Sequence, residues 1–309
     1  DFVLVSIAVG GADMYECDLE IPARYGIFTY GGETVGPGGL MLACRHIPVL
    51  VDICHELEEV APAAWLFNYT NPATCVMMAL ERESALKKVA LCTCSSIPRR
   101  ADQLAQETGL PAEDLIVPAL AGGLNHCAAV LELRLKDGRD AFPLALPRIR
   151  KPFVKQILAR YNVLPYGAGH WTEFYPSRTR LAEPYQGRVQ GLRLMYGRRV
   201  RNMAEHRQRT RHWEQAARHF LITGEGGDQV FYNPLTPGEG VEVVYVIESL
   251  IENRNEVHAV VTANRGAIPN LPSDAVVEVS SVVGGYGIQP LHVGPLPEPI
   301  AANLRQHID

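Results

Sequence analysis

Cys92 and His126 are the residues of this 309-residue chain whose chemistry best suits a divalent cation. A thiolate and an imidazole make half of such a site and leave positions open for water or substrate. Their spacing fits no compact zinc-finger motif, and a lone Cys or His in an apolar setting is more often a core residue. Asn68-Tyr69-Thr70-Asn71-Pro72 brings two amides and a hydroxyl together before a proline suited to a helix's first turn. Such amides can bind a sugar hydroxyl or a carboxamide, or they can simply cap a turn. His170 and Glu173, in Gly-His-Trp-Thr-Glu-Phe-Tyr-Pro, would share a helix face and could supply a base, an acid or a third ligand. A capped helix start packed by aromatics explains them equally well. Residues 31–39, Gly-Gly-Glu-Thr-Val-Gly-Pro-Gly-Gly, form a glycine-rich loop that could approach a sugar or phosphate, yet not in the order of a dinucleotide fingerprint.

The elements that must carry these residues follow from hydrophobic periodicity. Short apolar runs at Phe2–Val9, Ala64–Asn68, Lys88–Cys92 and Leu115–Ala121 predict strands. Helical spacing predicts helices over Leu40–Val60, Ala73–Leu86 and Pro98–Thr108. Strands alternating with helices imply an α/β fold with a parallel sheet, and each predicted strand ends on polar or glycine residues, where open α/β sheets bind ligands. Four such ends, including Gly10-Gly11, Asn68–Pro72, Cys92 and Gly123–His126, are expected to converge on one rim. Beyond residue 126 the pattern changes to scattered strands and turns, so two regions are expected: residues 1–126 and an α+β region over 127–309.

Composition excludes other classes. At 47% hydrophobic residues the chain can bury a sizeable core. Acidic side chains outnumber basic ones, 34 to 29, which argues against a partner recognised through its phosphates. The arginine-rich stretch from Arg198 to Phe220 is interrupted by Glu205 and Glu214 and reads as a solvated or subunit-facing helix; no nucleic-acid partner is expected. Charge, Gly or Pro breaks the apolar runs short of a bilayer's thickness, so no membrane partner is expected either. Seven cysteines without small-scaffold spacing point to free thiols and a reducing cytoplasm.

Taken in order, Ile21-Pro22-Ala23-Arg24-Tyr25-Gly26, Glu33–Gly39, Asn68–Pro72, Leu91-Cys92, Gly123-Leu124-Asn125-His126, Glu173-Phe174-Tyr175-Pro176 and Ile268-Pro269-Asn270-Leu271-Pro272 resemble glycoside hydrolase family 4. That family departs from the two-carboxylate scheme of most glycosidases. The resemblance implies a Rossmann-type fold like that of lactate and malate dehydrogenases, with NAD as a catalytic redox partner and manganese or another divalent cation. It implies hydride removal from C3 of the sugar, deprotonation at C2, elimination of the glycosidic oxygen, addition of water and return of the hydride. Carried over residue by residue, it makes Cys92 and His126 the metal ligands and assigns Asn71, Asn125 and Glu173 to the sugar. Asn68, Thr70, Gly10 and Gly11 are then expected to lie against the cofactor. A glycoside or small oligosaccharide is the implied substrate, and a homodimer or homotetramer the implied assembly, built with the arginine-rich stretch and the apolar Val241–Leu250 segment.

Several positions depart from the family pattern. Its first strand–helix–strand unit is expected to precede Asp1, so the chain is expected to lack both natural ends and part of the NAD site. Thr93 follows the metal-binding cysteine where His is frequent, and Cys94 adds a second thiol. Ala168 stands where several branches carry the C2 base. The α-galactosidase branch offers a closer likeness through Ala168, His170 and Glu173–Pro176, which makes His170 and Tyr175 the candidate bases, with Glu33 assisting the leaving group. Two other readings compete: a non-catalytic sugar or nucleotide-sugar binding relative, and a hydroxyacid dehydrogenase. The latter lacks its characteristic Arg and His pair here.

Overall fold

Three short parallel strands hold one end of the sheet: β1 (Phe2–Val5), β2 (Trp65–Asn68) and β3 (Lys87–Ala90). The computed structural model describes residues 1–27, 31–175 and 242–308, with isolated positions between 208 and 225. Leu66, Phe67, Val89 and Ala90 are buried, as apolar runs in a sheet covered on both faces should be. Helices α1 (Gly11–Arg24), α2 (Gly36–Val60) and α3 (Ala73–Glu83) make the crossovers. In α2 Pro37 occupies the first turn, and Leu42, His46, Leu50 and Cys54 recur every fourth residue as its buried stripe. Leu50, Leu66, Met77 and Leu80 meet in one core cluster. Fully burying a side chain of that size contributes about 1.5–3 kcal/mol.

A 3-10 turn at Thr93–Arg99 and helix α4 (Ala101–Thr108) follow β3. Next come β4 (Leu120–Leu124), β5 (Cys127–Glu132), α5 (Phe142–Ala145), α6 (Pro152–Tyr161), β6 (Leu164–Pro165) and α7 (Ala168–Trp171). The described chain closes with α8 (Glu242–Glu252), β7 (Glu256–Ala263), β8 (Val276–Gly284), β9 (Gly287–Pro290) and α9 (Glu298–Arg305). All nine strands join one sheet in the order β1-β2-β3-β7-β8-β4-β5-β6, with β9 paired to β8.

The fold is α/β, as the alternation predicts, but the sheet is mixed. Strand β4 covers Leu120–Leu124 instead of Leu115–Ala121, and it is not β3's neighbour. Strands β7 and β8 insert between them through antiparallel pairings, and β4 pairs antiparallel with both β8 and β5. Cys92 and His126 therefore do not end adjacent parallel strands. Apolar runs mark strands but carry no partner or direction, because pairing is non-local. The helix predicted over Pro98–Thr108 splits into the 3-10 turn and α4, with Pro98 inside the former. By length and composition α2 is long and apolar enough to cross a membrane, contrary to the reading of broken apolar runs. One stripe of it is buried against the sheet and α3, while Leu40, Met41 and Val49 stay exposed. The arginine-rich stretch lies outside the described residues apart from isolated positions, while α8 leaves Val244, Tyr245 and Ile251 exposed.

Candidate active site

Cys92 ends the chain segment leaving β3 and is clamped by the first turn that follows. Its N–H donates to Ser95 Oγ (3.2 Å) and its carbonyl accepts from Ser95 N–H (3.0 Å). His126 is the second residue of the two-residue turn joining β4 to β5, with φ at 66°, a conformation costing about 1–3 kcal/mol for a non-glycine residue. Gly123 makes that hairpin possible: a Cβ there would lie 2.5 Å from the Cys127 carbonyl oxygen. The buried imidazole bonds Thr34 Oγ1 through Nδ1 (2.7 Å) and also hydrogen-bonds the Cys92 side chain.

This contact shifts both groups. A hydrogen bond from the Cys94 thiol, then those from His126, hold Cys92 well below the usual thiol range despite burial. Cys94 is pushed up by its bond to Cys92 and by burial. Burial works to lower His126, but its bond to Cys92 and the thiolate's charge outweigh it and raise the imidazole to about 9. The result is a thiolate–imidazolium pair, in which a divalent cation can take the place of the shared proton. Sulfur and nitrogen donors within contact of each other fit such a cation, and outer partners are already in place at Thr34 and Ser95.

Other predicted residues gather round the pair. The His170 ring stacks on His126 at 4.1 Å between centroids, and ligand atoms of Glu33, His126 and His170 all lie within 4.8 Å of one another. Glu173 is buried; its Oε1 accepts the N–H groups of Gly31 and of Gly32 (3.4 Å), so it anchors the glycine loop while Oε2 faces His170 Nδ1 at 3.9 Å. Tyr175 packs nearly parallel to Trp171, at 6.3 Å and 13°. Gly38 and Gly39 serve packing: added Cβ atoms would meet the Asp18 carbonyl oxygen at 2.5 Å and Thr34 carbonyl carbon at 2.7 Å.

On the β1–β2 side, Gly10 (φ 85°) and Gly11 (φ 58°) begin α1, and nothing stands within 4 Å of where a Gly11 Cβ would be. This open backbone suits close approach by a cofactor. Asn68 is folded back on its own loop: Nδ2 donates to the Thr70 carbonyl (3.0 Å) and Oδ1 accepts Thr70 N–H (2.9 Å). Thr70 Oγ1 accepts Ile7 N–H (3.0 Å). Those side chains hold the rim together and are bonded within it. His46 Nε2 accepts Val9 N–H (3.0 Å) and Nδ1 donates to the Asn71 carbonyl (2.6 Å), which requires the neutral ring; burial lowers its pKa accordingly. With its carbonyl so held, the Asn71 side-chain amide makes no hydrogen bond to the described residues.

Sequence reasoning passed over Thr34, Ser95, Tyr166 and Glu278. Glu278 is 1% exposed, accepting from Ser95 Oγ (3.1 Å) and Tyr166 OH (2.8 Å) at Oε1 and from Asn125 Nδ2 (2.8 Å) at Oε2. Burial first, then the Cys92 charge, pushes its carboxyl up to about 7. Its signal was legible: one carboxylate amid the β-branched run Val276-Val277-Glu278-Val279.

Comparison with known proteins places the chain in a family. Residues 1–107 match the model of the family 4 glycosyl hydrolases, and residues 121–309 match that of the family's C-terminal domain. An α-galactosidase of Bacillus subtilis (strain 168) is 31% identical over 325 residues, covering 100% of this chain and 69% of that protein. An α-galacturonidase of Thermoanaerobacterium saccharolyticum is 30% identical, covering 96% of this chain and 67% of the relative. Among solved structures, a 6-phospho-α-glucosidase from gut microorganisms, in complex with NAD and Mn2+, superposes with a TM-score of 0.70 at 25% identity over 100% of this chain and 70% of its own.

Proposed function

The chain belongs to family 4 of the glycosyl hydrolases, and we propose that its Cys92–His126 pair holds the divalent cation of an NAD-dependent glycosidase acting on a glycoside or small oligosaccharide. One observation carries this reading: Cys92 and His126, from separated strands, lie close enough to shift each other's proton affinity, and ligand atoms of Glu33 and His170 lie within 4.8 Å of those of His126. When bound, NAD would supply a reversible hydride acceptor and the cation, held by Cys92 and His126, would supply Lewis acidity.

The protein's own residues then have distinct tasks. Thr34 fixes the plane of the His126 ring, so the nitrogen that contacts Cys92 stays aimed between the two donors. His170, whose ring stacks on His126, is the group best placed to take the C2 proton. Glu33 lies close enough to lend a proton to the departing oxygen. Glu173 keeps the glycine loop over both. Asn71 and Asn125 orient the sugar, and Gly10-Gly11 give the cofactor close access to backbone. Tyr175 supports Trp171 and is not needed as a base. All seven cysteines are free, which supports a reducing cytoplasm as the working environment.

A C2 proton is far too weakly acidic to leave at neutral pH until C3 is a carbonyl, which is why redox and metal chemistry must serve one step. The test is hydrolysis of nitrophenyl α-galactosides, α-galacturonides and α-glucosides in deuterated water by full-length protein with NAD and Mn2+. Deuterium at C2 of the released sugar is expected. Unlabelled product, or undiminished turnover once NAD and metal are both stripped, would sink the reading.

A further inference from the structure

Among the described residues Glu278 has no cationic partner directly bonded to it; its carboxylate is held by three neutral donors, and each comes from a different part of the site. Ser95 also clamps the Cys92 backbone, Asn125 precedes His126 in the turn, and Tyr166 follows β6. When ionised, the Glu278 carboxylate can only accept, so Asn125 then turns its NH2 end toward it. The other end, Oδ1, is buried and has no hydrogen-bond partner among the described residues. An unpaired buried acceptor beside a ligand-binding pair is costly in the empty protein and is satisfied when a donor arrives.

We infer that Glu278 is a positioning residue that locks the Asn125 amide with its acceptor outward, so that the site demands a hydroxyl donor from the bound sugar at one ring position. This rests on the reading of the site as a glycoside site. The glycoside panel above first names the sugar that the wild-type enzyme releases. Binding of that sugar and of each of its monodeoxy and monofluoro analogues is then measured calorimetrically with Mn2+ present. At one position the wild type should bind the hydroxyl about 10–100-fold better than either fluorine or hydrogen, the weight of one buried hydrogen bond.

Glu278→Gln is nearly isosteric and leaves Oε1 to accept from Ser95 and Tyr166, but it presents Nε2–H to Asn125. The Asn125 amide then flips and offers its NH2 to the sugar, so the position no longer demands a donor: a hydroxyl can accept that N–H, and fluorine, a weak acceptor, no longer faces a lone pair. The hydroxyl-to-fluorine ratio at that position should fall at least about tenfold, the loss of one donor–acceptor match, while Mn2+ affinity read by electron paramagnetic resonance holds. A merely structural role would instead weaken Mn2+ and every analogue alike, and that result, or unchanged ratios at all positions, overturns the inference. If Glu278→Gln does not fold, Asn125→Ala gives the same readout: its ratio at the position should collapse toward one, and a ratio that persists overturns the inference. A wild type that hydrolyses none of the glycosides overturns the functional reading itself, a distinguishable failure.

Discussion

Two polar clusters lie at strand ends of the same sheet, and they handle burial in opposite ways. Around β1 and β2, Asn68, Thr70 and His46 close on one another and on backbone, so each side-chain polar atom of Asn68 and both ring nitrogens of His46 have a partner. Around the β3 end and the β4–β5 turn, Cys92 and His126 form a charged pair, and among the described residues Asn125 Oδ1 and Glu173 Oε2 have no hydrogen-bond partner. A satisfied buried network specifies the fold, whereas a partly satisfied one is held by the rest of the structure for something that binds. Asn68, Thr70 and His46 shape the rim; on the proposed reading the second cluster is where cation and sugar bind.

The contrast is broken most severely at Cys92. Cys92→Ser replaces a soft thiolate with a poorly ionised hydroxyl of nearly the same shape. Mn2+ affinity and turnover should fall by more than the about 10–100-fold that loss of an outer partner causes, with the thermal midpoint nearly unchanged. Titration of Mn2+ by electron paramagnetic resonance reads this. Undiminished affinity would move the cation to the Glu33–His126–His170 group instead.

A smaller, graded effect follows from pH. His126 sits at about 9 before metal binds, above its usual 6.5, so a cation must displace its proton. Mn2+ affinity should rise about tenfold per pH unit up to about pH 9 and then level off, with about one proton released below that point. Calorimetry in buffers of different ionisation enthalpy counts that proton, and a flat affinity between pH 7 and 9 would remove His126 from the site. The metal-free protein should show the opposite trend. A raised histidine lends stability that is fully present below about 6.5 and is lost as pH climbs through about 9, while the lowered Cys92 lends stability that is lost on acidification.

The smallest effect on ligand binding is expected at Asn68. Asn68→Ala removes two buried hydrogen bonds and should cost about 1–3 kcal/mol of stability. Denaturant unfolding measures that, alongside Mn2+ and NAD affinities that stay at wild-type values in the folded protein. A variant that kept its stability but lost NAD would show that the side chain touches cofactor and would erase the contrast between the clusters.

Much of this was legible in the chain itself. The helix stripe Leu42, His46, Leu50, Cys54 and the buried runs at Trp65–Asn68 and Lys87–Ala90 are local patterns, and local patterns declare elements. Cys92, His126, His170 and Glu33 stood out by residue type and by the family likeness. What the chain did not declare is long-range. That β7 and β8 separate β3 from β4, and that β4 runs antiparallel to its neighbours, depends on pairings between residues far apart in sequence. Asn68 and Asn125 are the same residue type at the ends of two strands, and sequence assigned both to ligands. Tertiary structure separates them. Asn68 finds its partner two residues away in Thr70 and is spent, while Asn125 finds Glu278, 153 residues away, and keeps one acceptor open. An amide's role is set by which of its two ends is already bonded, and only the folded chain brings the bonding partner to it.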